Sequence, residues 1–332
     1  MQIKLLVPEN HTMSAKIVRA LAATTSALLM HGALGQTWPA KPIRFIMAYP
    51  PGGSSDILAR PIANELTKSL GQPVLIDYKP GAGSSIGADA VAKSAPDGYT
   101  IVMLLTAHAV NASLIAKLPY DSVKDFASIT LAATLPLVVT VNAQAPIKTL
   151  QDLINTAKAS PGKLNYGSPG PSIHLSVEYF SSAVGIKLTH VPYKGSGPAV
   201  AALLGREVDM MFDSVSSSLT QIQAGKLRAL AVSTAGRSHV LPQVPTVQES
   251  GVPGFDTSLW YGIFAAAGTP SAIVQRLNAE IIKAMAQPKS KEAIEGYGYQ
   301  IVGSNPEYMD TLLKSEVVRW AKVVRDSGAK VE

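Results

Sequence analysis

Six short stretches of the 332-residue chain carry residue types suited to holding a small anion. They are PPGGSSD (50–56), KPGAGSS (79–85), TAHAVNA (106–112), GSPGPS (167–172), YKGSGP (193–198) and DSVSSS (213–218). Most stand where an apolar run gives way to a helical pattern. Glycine lets a ligand approach the backbone, and serine adds a hydroxyl donor. At a helix start, backbone N–H groups lack intrahelical acceptors and the peptide dipoles sum to a partial positive charge. Each such turn is a candidate anion site that needs no lysine. Glycine and serine are also ordinary helix caps. Capping alone predicts more Asp and Asn in these turns, and the recurrence of the device favours binding.

Catalytic motifs are poorly represented. PGGSSDILAR lacks the Gly-Lys-Ser/Thr ending of a Walker A loop. Gly81, Gly83 and Gly87 give only a loose G-x-G-x-x-x-G after the second apolar run, with Pro80 at the turn. No G-x-S-x-G elbow is present. With no cysteine, disulfides and thiol catalysis are excluded. His108, His174, His190 and His239 lie far apart with no H-E-x-x-H, so no metal site is expected. His174, early in a helical run beside the 167–172 loop, reads as a hydrogen-bonding or structural residue at a cleft edge rather than a general base. Asp56 at a helix start suits the dipole better than catalysis. Asp213 either orders its loop or meets a ligand ammonium. No cofactor is expected.

The elements that must position these loops follow one plan. IRFIMAY, PVLIDY and YTIVMLL are apolar runs of strand length. Helix patterns lie between them at 55–70, ended by Gly71, and in SSIGADAVAKSA. Strands buried on both faces and separated by helices imply parallel βαβ units. The second half repeats the plan. TLQDLINTAKA opens on Thr149 with Asp152 three residues on, a capping-box variant. KLNYG, LTHVPY, VDMMF and RALAVST read as strands. SIHLSVEYFSSAVG carries an apolar stripe at Ile173, Val177, Phe180 and Val184. PAVAALLG is a short helix with Pro198 at its first position and Gly205 as its stop. Two such halves imply an α/β chain of two lobes. SITLAATLPLVVTVN is placed as the crossing from one lobe to the other and LWYGIFAAA as the return. TPSAIVQRLNAEIIKAMAQ, capped by Thr269, and a helix near 306–326 close the chain. Pro61 inside the first helix is expected to kink it or displace its start. The lobes are expected at 36–138 with 261–332, and at 139–260.

Composition narrows the class. Hydrophobic residues make up 47% and charged residues 16%, enough apolar material for sizeable cores. The net charge is +6, spread without basic runs, so a nucleic-acid footprint is not expected, while a weak positive field suits small anions. Lys16 and Arg19 precede the apolar stretch ALAATTSALLM, and Ala33 and Gly35 are small. This is the pattern of a secretory signal peptide over 1–35, cleaved after Gly35. The stretch is short of the roughly 20 residues of a membrane span. The mature chain is expected to be soluble and exported.

Read in order, YPPGGSSDILAR, KPGAGSSIGADAVAKSAPDGYT, LPYDSVKDF, HVPYKGSGPAVAALLGREVDMMF, GKLRALAVST, PQVPTVQESG and GTPSAIVQRLNAEI cover the mature chain. In these segments it resembles the extracytoplasmic solute-binding receptors of tripartite tricarboxylate transporters, the Bug proteins. The resemblance implies a type II periplasmic-binding-protein (Venus flytrap) fold with a two-segment hinge. It implies a small organic acid as ligand and the integral membrane subunits of such a transporter as partners. By that resemblance Gly52, Gly53, Ser54, Ser55, Asp56, Thr106 and Ala107 grip a carboxylate, with Tyr49 as the aromatic of the lead-in. Ser168, Gly170, Ser172, His174, Gly195, Ser196 and Asp213 close over the other end. YPPGG and the two prolines of GSPGPSIHL depart from the commonest pattern, so the ligand's identity stays open among citrate-like, dicarboxylic, acidic amino-acid and aromatic acids.

The sequence therefore reads as a monomeric periplasmic binding protein rather than an enzyme. The alternatives are an exported α/β hydrolase with a cleft serine, which needs a base within reach of that serine, and a nucleotide-binding oxidoreductase built on residues 81–87. Tyr193, Trp260 and Tyr261 either flank an aromatic ligand or pack in the core and hinge.

Overall fold

The computed structural model describes residues 38–327. The expected signal peptide lies outside them. Among the described residues no helix is long and apolar enough to cross a membrane.

Strands and helices alternate. The chain runs β1 (Ile43–Met47), α1 (Ser54–Leu70), β2 (Val74–Tyr78), a 3-10 turn at Ala82–Ser84, α2 (Ser85–Ala92), β3 (Thr100–Leu105) and α3 (Ala107–Leu114). The long β-branched run is β4 (Phe126–Asn142). Then come α4 (Leu150–Ala159), β5 (Asn165–Ser168), α5 (Pro171–Val184), β6 (Thr189–Pro192), α6 (Ser196–Gly205), β7 (Met210–Ser214), α7 (Val215–Gln223) and β8 (Leu227–Val232). After a long connection follow β9 (Ser258–Ala266), α8 (Ser271–Ala286), α9 (Pro288–Glu295), β10 (Gln300–Ile301) and α10 (Pro306–Ser327).

Two sets of strands are joined through β4. In the first, β2, β1 and β3 are parallel, β9 lies antiparallel beside β3, and β4 pairs with β9 from Phe126 to Pro136. In the second, β4 pairs with β7 from Leu137 to Val141 and with β8 from Val138 to Asn142, and β7, β5 and β6 are parallel. One strand thus changes partners between Pro136 and Leu137. β9 keeps its whole length in the first set, and the chain returns to that set ahead of Ser258. The parallel strands of both sets deliver their carboxyl ends to the loops singled out above. That is where an open α/β sheet places its ligand.

Local chemistry explains most of the boundaries. Gly71 and Gly185 end α1 and α5 at φ 67°, a left-handed conformation that glycine adopts without strain. The Thr149 hydroxyl accepts from the Asp152 N–H at 3.0 Å, and the Asp152 carboxylate accepts from the Thr149 N–H at 2.9 Å, so the capping box is complete. Three details differ from expectation. α1 starts at Ser54 and runs through Pro61 as one helix, its buried face of Leu58, Ile62 and Leu66 outweighing the hydrogen bond that proline removes. α6 starts two residues before Pro198, and Arg206, not Gly205, takes the left-handed C-cap at φ 60°. Thr269 does not cap α8; its hydroxyl donates to the Ala266 carbonyl at 2.7 Å.

Around the first sheet, Ile46, Val102, Leu104, Phe264, Leu313 and Trp320 belong to one buried core. A smaller core joins α6 to Met211 and Leu227. Gly87, in α2, marks the tightest approach of helix to strand. A Cβ there would meet the Ala48 Cβ at 2.7 Å and its Cα at 2.8 Å. The third glycine of the loose dinucleotide-like spacing is thus a packing glycine directly behind the first binding turn. Gly87→Ala is expected to destabilise the protein by about 1–3 kcal/mol through overpacking, measured as a lower midpoint of urea unfolding.

Candidate functional site

A cavity of about 200 Å³ opens where the loops of the two strand sets meet. Its wall is built from the ends of parallel strands and the first turns of the helices that follow. Gly53, Gly170, Gly195 and Ser214 are the N-caps of α1, α5, α6 and α7, and Ala107 is the first residue of α3; all five line the cavity. None of these five helices is capped by a side chain. Their first N–H groups have no intrahelical acceptor, so donors and dipole ends from five helices share one wall. Serine hydroxyls stand among them at Ser54, Ser55, Ser172, Ser196 and Ser214.

Ten of the expected residues form that wall: Tyr49, Gly52, Gly53, Ser54, Ser55, Ala107, Gly170, Ser172, Gly195 and Ser196. Asp56, Thr106, Ser168, His174 and Asp213 stand behind it. The Asp56 carboxylate accepts from the Gly52 N–H at 3.0 Å, Arg60 at 2.9 Å and the Tyr78 hydroxyl at 2.5 Å. Burial pushes this carboxyl up, but the hydrogen bonds from Tyr78, Gly52 and Arg60 outweigh it and hold it below the ordinary range. Asp56 therefore fixes the turn, and the Gly52 N–H is already engaged. The Thr106 hydroxyl accepts from the Trp260 N–H at 3.1 Å, tying the start of α3 to β9.

On the other side, Asp213 is fully buried. It accepts from the Ser196 and Ser218 hydroxyls, each at 2.9 Å. Burial raises its carboxyl to about 6, against the pull of those hydrogen bonds and one from the Ser214 backbone. It orders Ser196, which does line the cavity, and does not itself reach the wall. His174 meets the Tyr166 hydroxyl at 2.7 Å and stacks on His190 at 4.0 Å; Ser168 meets His190 at 2.7 Å, and Tyr166 donates to Glu178 at 2.7 Å. Burial pushes the His174 imidazole down. This network supports the Pro169–Pro171 segment of the wall from beneath.

The aromatic side chains resolve as packing groups. Tyr49 turns its hydroxyl into the interior beside Ser84, where burial raises the phenol to about 12. Trp260 donates to Glu316 at 3.1 Å, and Tyr261 packs edge-on against Tyr299 at 5.4 Å. Tyr193 covers the Gly167 backbone. His108 is a core residue on the Ser122 carbonyl at 2.9 Å, and burial lowers it to about 4.

Sequence reasoning missed two parts of the wall. Leu105 and Leu259 line it from strands, where nothing local distinguishes them from core. Pro50, Pro51, Pro169, Pro171, Pro198 and Lys194 also line it; they lie inside the loops already singled out but not among the residues expected to touch the ligand. The loops of the two strand sets come close to each other. A Cβ on Gly83 would lie 3.0 Å from the Pro171 Cγ, and one on Gly195 would lie 3.9 Å from the Pro50 Cγ. Among the described residues no cluster of His, Cys, Asp or Glu is arranged to hold a metal ion.

Comparison with known proteins bears on the family and the fold. The chain matches the family described as "Tripartite tricarboxylate transporter family receptor" over residues 58–329. It is 39% identical over 300 residues to Protein BugT of Bordetella pertussis, covering 89% of this chain and 92% of that protein. Among solved structures, the periplasmic binding protein BugD is 31% identical with a TM-score of 0.83, covering 89% of this chain and all of that one. Rpa4515 of R. palustris, solved with adipate, is 33% identical with a TM-score of 0.84 at the same coverage. The two-lobe α/β architecture of these binding proteins is the fold seen here, and the chain belongs to the tripartite tricarboxylate transporter receptor family.

Proposed function

We propose that this protein captures a small organic carboxylate in the cavity described above and passes it unchanged to the membrane subunits of a tripartite tricarboxylate transporter. The observation that carries the proposal is the meeting of five helix N-termini, none capped by a side chain, on one small wall. Such a wall offers charge-assisted hydrogen bonds to an anion at fixed positions. The adipate held by Rpa4515 supports a carboxylate as that anion. Periplasmic capture accords with BugD and with the secretory pattern at the N-terminus.

The hydrolase reading has one supporting contact, the Ser168–His190 pair at 2.7 Å. Ser168 is only 2% exposed and is absent from the cavity wall. Its hydroxyl is spent on holding the loop, and no attack geometry follows. The receptor reading is favoured.

The two lobes are proposed at 36–138 with 261–332, and at 139–260. The change of partners along β4 at Pro136–Leu137 supports a hinge there. The close approach of Gly83 to Pro171 and of Gly195 to Pro50 accords with a closed clamp, which a ligand gripped from both sides would favour.

Gly53 offers a direct test. Its φ of −82° suits any residue, and a Cβ would make only an ordinary 3.7 Å contact with the Pro50 carbonyl oxygen. Gly53→Ala and Gly53→Asp should both fold. A carboxylate that stabilises the wild type in a thermal-shift screen should bind Gly53→Asp at least about tenfold more weakly by calorimetry, since like charges in contact cost several kcal/mol. Its primary amide should give little stabilisation of the wild type. Affinity retained by Gly53→Asp, or an amide equal to its acid, would sink the proposal.

Asp213 gives a second test through pH. A carboxyl raised from its ordinary value to about 6 lends most stability below the unfolded value, near pH 4, and loses it as pH rises through about 6. Asp213→Asn keeps one acceptor oxygen and has no such titration. The difference in unfolding free energy, variant minus wild type, should therefore rise between about pH 4 and pH 7, by on the order of 2–3 kcal/mol. A flat difference in parallel urea titrations would mean that Asp213 is not desolvated as described.

A further inference from the structure

The cavity wall is neutral except at one point. Of the residues that line it, Lys194 alone carries a formal charge. The two nearby acids face away into their own partners: Asp56 into Gly52, Arg60 and Tyr78, and Asp213 into Ser196 and Ser218. Lys194 is exposed and enters none of the ion pairs among the described residues. It precedes Gly195, whose Cβ position lies 3.9 Å from the Pro50 Cγ. The lysine therefore stands at the lip where the two sets of loops close on each other.

The remaining wall has a definite chemistry. Apart from Tyr49, whose hydroxyl turns inward, its polar side chains are serines, three of the five at or next to a helix N-cap. Between them stand prolines, with Leu105, Ile173 and Leu259. Prolines bring no N–H, and leucine and isoleucine side chains bring no hydrogen-bonding group. A ligand rich in hydroxyls along its middle would bury them unpaired here, at a cost. An apolar body fits without that cost. A single free cation at the lip then has one use that the helix N-termini do not already serve, which is a second negative charge.

We infer that Lys194 is a specificity residue that selects a dianion: one carboxylate sits on the helix N-termini, a hydrocarbon body lies against the prolines, and a second acidic group at the lip pairs with the Lys194 ammonium. The inference rests on the carboxylate reading above. It adds which acids are preferred and which residue discriminates them. An ion pair at a partly exposed lip contributes modestly, so the expected effect is about fivefold in affinity.

The test uses the mature protein and matched probes: straight-chain α,ω-dicarboxylates against monocarboxylates of equal carbon number, and terephthalate against benzoate. Dissociation constants are measured by calorimetry at low ionic strength for wild type, Lys194→Gln and Lys194→Arg. Wild type should prefer the best diacid over its monoacid. Lys194→Gln should shrink that preference about fivefold, Lys194→Arg should keep most of it, and added salt should erode it. Lys194→Gln weakening both acids alike, or neither, would overturn the inference while leaving the carboxylate reading standing. Failure of every acid to bind the wild type would overturn both.

Discussion

An α-helix begins with N–H groups that its own backbone cannot satisfy, and this protein brings five such beginnings to one cavity. The lack of a side-chain cap is not itself distinctive, because α2, α8 and α9 lack one too. Convergence is what matters. A capping side chain typically contributes about 1 kcal/mol, and α4, away from the cavity, keeps the full Thr149–Asp152 capping box. At the cavity the corresponding donors are left for water or ligand. The topology follows from that demand. The helices whose first turns build the wall follow β1, β3, β5, β6 and β7, parallel strands that deliver their carboxyl ends to one place, and β4 pairs first with one set and then with the other.

Negative charge is used one layer behind this wall. Asp56 anchors the first turn through Gly52, and Asp213 anchors Ser196. Both carboxylates point at protein donors, so neither repels an incoming anion at contact distance. Their environments differ in kind. Asp56 has a cation and a phenol beside it and stays ionised easily, whereas Asp213 has only hydroxyls and a backbone N–H in a dry interior. The stacked histidines and Tyr166 serve the 169–171 segment in the same supporting way.

How much of this was legible depends on the range of the interactions. Strand and helix order came through because apolar runs and Gly stops are local signals; Gly71, Gly185 and the Thr149 box read correctly for that reason. Pro61 does not end α1, because the buried face of Leu58, Ile62 and Leu66 offsets the local penalty. Gly205 does end α6, but the left-handed conformation falls one residue later, on Arg206, because the sequence marks where such a residue is cheap, not where the chain needs one. The six loops were found from composition. Within them, sequence cannot tell wall from support. Asp56, Thr106, Ser168, His174 and Asp213 sit beside true wall residues along the chain, yet their side chains turn to protein partners, some a turn away and some far along the chain, as Tyr78 is from Asp56 and Trp260 from Thr106. Leu105 and Leu259 were missed because a cavity-facing leucine at a strand end looks like any core leucine.

The same division separates what the fold holds constant from what it lets vary. Backbone N–H groups at helix starts are present whatever the side chains are, so the proposed grip on a carboxylate would belong to the fold. Everything that distinguishes one acid from another must come from side chains around those donors. Here they are prolines from the loops after β1, β5 and β6, branched aliphatics from β3, α5 and β9, and one lysine. Prolines fix the backbone and offer no N–H, so this wall cannot easily rearrange to meet a hydroxylated ligand. Rigidity that would weaken a general binder suits a receptor that must recognise one body shape and then let it go. At the cavity edge Gly83 faces Pro171 and Gly195 faces Pro50 with no hydrogen bond between them, while away from it His239 meets the Glu295 carbonyl at 2.8 Å and Arg319 donates to the Asp256 carbonyl at 2.9 Å, so the two proposed lobes are tied chiefly outside the cavity. Edges of that kind add little to closure on their own, and on the proposed reading a ligand held from both sides would supply the rest.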